Sequence, residues 1–194
     1  MRVLRYVTHA EVEVDPTVAV GRWDLSAVGR ARVRAMLAQP WVPDVGRIVS
    51  SAEAKALTTA GILAEHLGLD VEVRPDTGEN DRSATGFLPP EEFEATADRF
   101  FSSPEKSVRG WERAIDAQDR ISDALEDLLA EPSHDSTVVV GHGGVGTLWW
   151  CRLAGVPISR RHDQPGQGHH FTVDVDRRLV LGGWHPIDDL EVTR

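Results

Sequence analysis

Thr137–Val140 is an unbroken run of β-branched residues that ends in Gly141-His142-Gly143-Gly144. A strand with no polar alternation must be covered on both faces, which places it at the centre of a mostly parallel sheet flanked by helices. The glycines after it predict a tight turn from strand into helix. Matching parts lie along the chain. Val3–Val7, Ile48–Val49 within GRIVSS, and Val71–Val73 read as further strands. Ser26 is placed to cap a helix with Val28, Ala31, Ala35 and Met36 as apolar positions. Ser50 and Glu53 have the spacing of a capping box, and Leu57, Ala60, Leu63 and Leu67 give the helix after them a stripe that Gly68 can end. Phe93, Ala97, Phe100 and Phe101 predict a short amphipathic helix. Trp111, Ala114, Gln118, Ile121, Leu125 and Leu128 predict a longer one that stops before Pro132, and residues 171–181 read as a hairpin. The alternation predicts an α/β fold: residues 1–194 as a single-domain three-layer sandwich, with a mostly parallel central sheet and helices on both faces. Residues 74–92 are rich in Pro, Gly and charge, so an irregular excursion over about 76–106 is expected to cover the site.

Composition narrows the function classes. With 41% hydrophobic and 27% charged residues, the chain is expected to be ordered and globular. Its 21 basic and 31 acidic residues give a formal net charge of −10, a field that repels nucleic acid and anionic membranes, so neither is an expected partner. A small anionic substrate remains open to a local cluster of donors. Cys151 is the one cysteine, which rules out an intrachain disulfide and a cysteine-based zinc site. The opening MRVLRYVTHAEVEV meets acids before any long apolar stretch, and the expectation is a cytoplasmic protein without a signal peptide.

In parallel α/β sheets the functional site lies at the carboxyl ends of the strands. That rule selects His9, Ser50–Ser51 and His142. A histidine whose ring is held in place can attack phosphorus or shuttle a proton. No paired-ligand spacing such as His-x-x-x-His is present, so neither a metal nor another cofactor is expected. The glycine-rich turn lacks the Lys-Ser/Thr of a P-loop, yet a helix N-terminus there still favours an anion, which makes Gly143 a candidate substrate contact. His162 and His185 read as structural or surface residues; for His169 and His170 in GQGHHFTV a turn-and-core role stands beside a pocket-lining one that the family resemblance given next implies.

Four segments, in order, carry a resemblance: Val7-Thr8-His9-Ala10-Glu11, the stretch WDLSAVGRARV at 23–33, Ser51-Ala52-Glu53-Ala54-Lys55-Ala56-Leu57-Thr58-Thr59-Ala60, and Val138–Gly144. Together they resemble the histidine phosphatase superfamily, with its phosphoglycerate-mutase-like fold. The family's Arg-His-Gly is Thr-His-Ala here, and the arginine of its Ser-Pro-x-x-Arg segment is Lys55. Threonine offers a neutral hydroxyl and lysine a point charge where arginine gives a bidentate fork.

The resemblance implies hydrolysis of a phosphate monoester, without metal, through a phosphohistidine on His9. His142, taken as charged, and Lys55 would hold phosphoryl oxygens, with Thr8 in the place of the first arginine. Arg82, in GENDRS, is the candidate replacement cation. The proton for the leaving oxygen falls to Glu79, with Asp81 and Asp76 as rivals, because the chemistry needs one carboxyl protonated beside that oxygen. Two other functions stay open. One is a catalytically weak relative that binds a phosphorylated ligand or protein partner; the other is a phosphomutase, which family members with a longer shielding insertion exemplify. Phe87, Phe93, Phe100 and Trp111 are candidate apolar walls or local core. The expected partner is a small phosphorylated substrate, and the expected assembly is a monomer or homodimer.

Overall fold

The computed structural model describes residues 2–132 and 136–191. Strands β1 (Val3–Thr8), β2 (Val45–Ser50), β3 (Val71–Val73), β4 (Ser136–Gly141), β5 (His169–Asp174) and β6 (Leu179–Pro186) form one sheet in the order β3-β2-β4-β1-β5-β6. The β3-β2, β2-β4 and β4-β1 pairings are parallel, and β5 and β6 add an antiparallel edge. The valine run is therefore central, with β2 on one side and β1 on the other. Helices α1 (Ala27–Met36) and α2 (Ala54–Leu67) cover one face; α3 (Pro90–Ser102), α4 (Ala114–Ala130) and α5 (Gly143–Leu153) cover the other. Among the described residues, no helix is long and apolar enough to cross a membrane.

Alternation along the strands divides the core. Leu4, Tyr6, Val49, Val139, Phe171 and Val173 meet α3, α4 and α5, whereas Val7, Ile48, Val138 and Val140 meet α1 and α2. Tyr6 is the largest side chain that β1 sends to the first side. Its ring stacks on Phe171 at 5.3 Å and tilts against Trp149 at 5.8 Å. Its hydroxyl accepts the His142 backbone N–H and donates to the His142 carbonyl, each at 3.1 Å. A Cβ at Gly141 would overlap that hydroxyl, and one at Gly146 would overlap the ring, so both glycines leave room for the phenol.

Two local expectations are corrected. Ser26 does cap α1 by accepting the Gly29 N–H, but the inward face is Gly29, Val33 and Met36; Val28 is exposed, and Ala31 and Ala35 face water. The helix is seated on the backbone after β1, where a Cβ at residue 29 would overlap the Glu11 carbonyl oxygen, so the closest contact falls on a glycine that apolar counting passes over. The capping box at Ser50 and Glu53 does not form. Ser50 ends β2, Glu53 is itself the residue before α2, and its carboxylate turns into the site described below.

The crowding around Tyr6 yields a prediction. Gly141→Ala should lower stability by about 1–3 kcal/mol, the usual range for overpacking a tight core. Urea unfolding measures it, and a loss below about 0.5 kcal/mol, the ordinary scatter of surface substitutions, would contradict the contact.

Candidate active site

The carboxyl ends of β1, β2 and β4 bring three segments together. His9 follows β1 and donates its N–H to the Gly141 carbonyl; Ser51 follows β2 and donates to the Val140 carbonyl; His142 follows β4. The two imidazoles stand edge to face with centroids 5.4 Å apart. Their nitrogens are sorted by their neighbours. His9 Nδ1 lies 2.9 Å from the Ala10 carbonyl, which can only accept, so Nδ1 carries the hydrogen and Nε2 the lone pair. Burial, followed by the His142 ring, pushes the His9 pKa down to about 3, so the ring is neutral at physiological pH.

His142 is fully buried, with Nε2 2.7 Å from Ser51 Oγ and 3.3 Å from Glu53 Oε1. A carboxylate only accepts, so this Nε2 carries the hydrogen, and Nδ1 is left buried without a partner. The expectation of a charged His142 meets its desolvation: burial holds the ring below the ordinary histidine range, although Glu53 and Glu79 pull upward. The contact with Glu53 is thus a hydrogen bond to a neutral ring rather than an ion pair.

Glu53 is the side chain of this cluster that the sequence analysis did not name as a site residue. Its Oε2 lies 2.5 Å from Lys55 Nζ, and its Oε1 accepts the Glu79 N–H at 3.0 Å besides facing His142. Although its partial burial opposes ionisation, His142 and Lys55 outweigh that cost and hold the carboxyl at about 2. Lys55, expected as an open cation, is buried between Glu53 and the Val20 carbonyl, to which it donates at 2.9 Å.

Of the three acids considered, Glu79 alone lines the cavity at these strand ends. Its carboxylate accepts N–H bonds from Asn80, Gly144 and Val145, at 3.0, 3.1 and 3.0 Å, so it sits on the N-terminus of α5 that the sequence reading offered to a substrate anion. Arg120 of α4 holds this loop by donating to the carbonyls of Asp76 and Gly78. Asp81 turns back to cap the Ser83 N–H, and that hydrogen bonding keeps its carboxyl below the usual range.

Thr8 differs most from its expected part. It is fully buried and does not line the cavity. Its hydroxyl accepts the His169 N–H at 3.0 Å and donates toward Gln164 Oε1 at 2.6 Å, so it anchors Gln164 rather than offering a donor to a ligand. Gln164 lines the cavity, and a Cβ at Gly143 would overlap its amide nitrogen; Gly143 also borders the cavity. Asp163 lines it too. Burial pushes that carboxyl above its ordinary range, against hydrogen bonds from Thr147 Oγ1 and the Gln164 N–H. Asp163 and Gln164 belong to DQPGQG, a stretch rich in turn residues that carried no assignment in the sequence analysis. His169 and His170, the pocket candidates from this region, are buried and lie outside the cavity.

The cavity encloses about 510 Å³. His9, Lys55 and Glu79 lie at its strand-end floor, and Trp23, Phe87, Phe93, Phe100 and Trp111 contribute to its walls. The four aromatics singled out in sequence therefore serve as wall, with Phe100 and Trp111 belonging to the core as well. Arg82 lines the cavity with its guanidinium over Phe93 at 5.2 Å and over Trp111 at 5.7 Å, unpaired by any carboxylate among the described residues. Arg160, the other arginine here, is paired with Glu94 and Asp98.

The α/β sheet gathers two histidines and a carboxylate at the ends of its central strands. The chain belongs to the histidine phosphatase superfamily, branch 1, whose family model matches residues 7–175. No curated protein matches it in sequence. Solved structures share the fold. A mycobacterial glucosyl-3-phosphoglycerate phosphatase complexed with inorganic phosphate is 20% identical, with a TM-score of 0.75 and 95% of each chain covered. A putative α-ribazole-5′-phosphate phosphatase of Escherichia coli is 17% identical, with a TM-score of 0.76 over 96% of this chain and 98% of that one. The Entamoeba histolytica phosphoserine phosphatase bound to 3-phosphoglyceric acid is 18% identical, with a TM-score of 0.73 over 93% and 94%.

The neutral imidazole of His9 and the ionised Glu53 set an acid limit. Unfolded, His9 binds a proton near 6.5, and folded only near 3, so its contribution to stability is present above 6.5 and lost as pH falls toward 3. Glu53 adds in the same direction between about 4.5 and about 2. In an NMR titration the His9 ring should stay neutral through pH 5; a midpoint near 6.5 would contradict the burial argument.

Proposed function

We propose that this protein is a metal-independent phosphatase that hydrolyses a phosphate monoester through a phosphohistidine on His9. The observation that carries the reading is the tautomer of His9: a neutral ring whose Nδ1–H is held by its own backbone neighbour, leaving the Nε2 lone pair for phosphorus at the floor of an open cavity. The phosphatase neighbours and the family membership support the same class.

His9 Nε2 attacks phosphorus while the ester oxygen departs, taking a proton from the Glu79 carboxyl. The resulting Glu79 carboxylate then draws a proton from water, which attacks the phosphohistidine from the side the leaving group vacated. Nε2 is released with its lone pair, and inorganic phosphate leaves. Fixed donors aimed at the phosphoryl oxygens supply most of the rate, as in phosphoryl transfer generally. Arg82 is the unpaired cation suited to this task; Lys55 is the second, and Gln164 is an amide donor from the opposite rim.

A second reading rests on one observation. Lys55 is already neutralised by Glu53, and Thr8 offers the cavity no donor, so the site has less open positive charge than a phosphate pocket with two arginines. That favours a catalytically weak relative that binds a phosphorylated ligand.

Turnover separates the two. With excess chelator and an aryl phosphate, His9→Ala should abolish turnover, and wild-type enzyme quenched in mid-reaction should carry an acid-labile phosphoryl group. Glu79→Gln should lower kcat about 10²–10⁴-fold, the usual contribution of a positioned acid and base. Full activity in His9→Ala would refute the nucleophile. Full activity in Glu79→Gln with loss in Asp163→Asn would move the acid to Asp163. Arg82→Ala should raise KM more than it lowers kcat, and an unchanged KM would remove Arg82 from binding.

A further inference from the structure

One carboxylate already touches both groups that a phosphoryl group would have to reach beside His9. Glu53 Oε2 takes Lys55 Nζ at 2.5 Å, and Oε1 stands 3.3 Å from His142 Nε2 while accepting the Glu79 N–H. His142 is fully buried, its protonated Nε2 faces Ser51 and Glu53, and none of these three lines the cavity; Lys55, which does line it, is the group through which Glu53 meets the cavity. Lys55 has Val20 O as its other partner, and a carbonyl leaves its charge uncancelled, so among the described residues the neutralising group is Glu53. An incoming phosphoryl group is anionic and acceptor-only in its oxygens. It needs the donors that the carboxylate holds, and the carboxylate repels it at contact range.

We propose that Glu53 is a resident competitor for the phosphoryl-oxygen seat, a specificity-determining residue that keeps free inorganic phosphate out of the site. The proposal rests on the phosphatase reading above. An ester enters because its leaving group also gains the aromatic wall and Arg82, whereas inorganic phosphate has only the contested donors. Binding of the whole ester therefore displaces the Glu53 carboxylate, and its product phosphate is expelled when the carboxylate returns. The enzyme is thereby selective for the organic part of its substrate and insensitive to product.

The test is the dissociation constant of inorganic phosphate, by calorimetry, together with its inhibition of aryl phosphate turnover, in wild type, Glu53→Gln and Glu53→Asp. Glutamine removes the charge and keeps one oxygen, which can serve Lys55 or the Glu79 N–H but not both. Aspartate keeps a charge for Lys55 and is one methylene too short to reach His142 as well, so it remains informative if the glutamine variant does not fold. Phosphate should bind at least about tenfold tighter in Glu53→Gln, with KM for the ester falling as phosphate inhibition appears, and by a smaller factor in Glu53→Asp, where the charge on Lys55 remains; like-charge repulsion at contact distance readily supports the tenfold factor. A role in folding alone would shift Tm and leave the phosphate constant in place. Equal or weaker phosphate binding in the variants, with His9-dependent turnover intact, would overturn the competitor and leave the phosphatase reading standing. Absence of turnover and of phosphate binding in wild type and variants alike would overturn both.

Discussion

The hydroxyl of Tyr6 holds the backbone of His142 at both its N–H and its carbonyl, and much else follows from that pair of hydrogen bonds. They join the end of β1 to the start of α5 across the parallel β1-β4 pairing, so the two histidines cannot shift relative to one another without moving a buried phenol. A buried hydroxyl without such partners would cost about 1–3 kcal/mol, which makes the position specific as well as packed. The glycines at 141 and 146, the stacking on Phe171, the tilted contact with Trp149, and the path of α5 all accommodate this one ring. The consequence reaches Glu79, whose carboxylate is positioned by the first N–H groups of the same helix.

Charge in the site is balanced side chain by side chain. Lys55 answers Glu53, Arg160 answers Glu94 and Asp98, and the two imidazoles are held neutral by burial. Removing one partner of a buried ion pair costs about 3–5 kcal/mol, so Lys55 and Glu53 behave as a unit and not as a cation with an incidental neighbour. Arg82 is the exception among cavity cations, and its charge rests on two aromatic faces, which attract a cation without neutralising it.

The valine run ending in Gly-His-Gly-Gly made the sheet legible, because only a doubly covered strand is apolar at every position; that strand is central in the structure. The long stripe from Trp111 to Leu128 was equally readable, with every position named in it buried. Where backbone packs directly on backbone, as at Gly29 on Glu11, side-chain periodicity had nothing to report, and the inward face of α1 was misassigned. At the site, the strand-end rule selected His9 and His142 and the family resemblance selected Glu79, and the structure brings all three to the same strand ends. Thr8 was misjudged because its neighbour Gln164 comes from 156 residues away. Glu53 was read as a cap, since its spacing from Ser50 satisfies a local pattern; the Lys55 cation and the His142 N–H that redirect it exert a pull that no local pattern encodes.

The cavity wall and the cavity floor have separate origins in the chain. Phe87, Phe93, Phe100 and Trp111, with Arg82, come from one uninterrupted stretch that Trp23 supplements, whereas His9 and Lys55 come from the segments that follow β1 and β2. A drift in residues 82–111 can reshape what the pocket admits and leave the sheet's hydrogen-bond ladder untouched. Shape recognition and bond-making are thus modular in this fold, and they can diverge at different speeds.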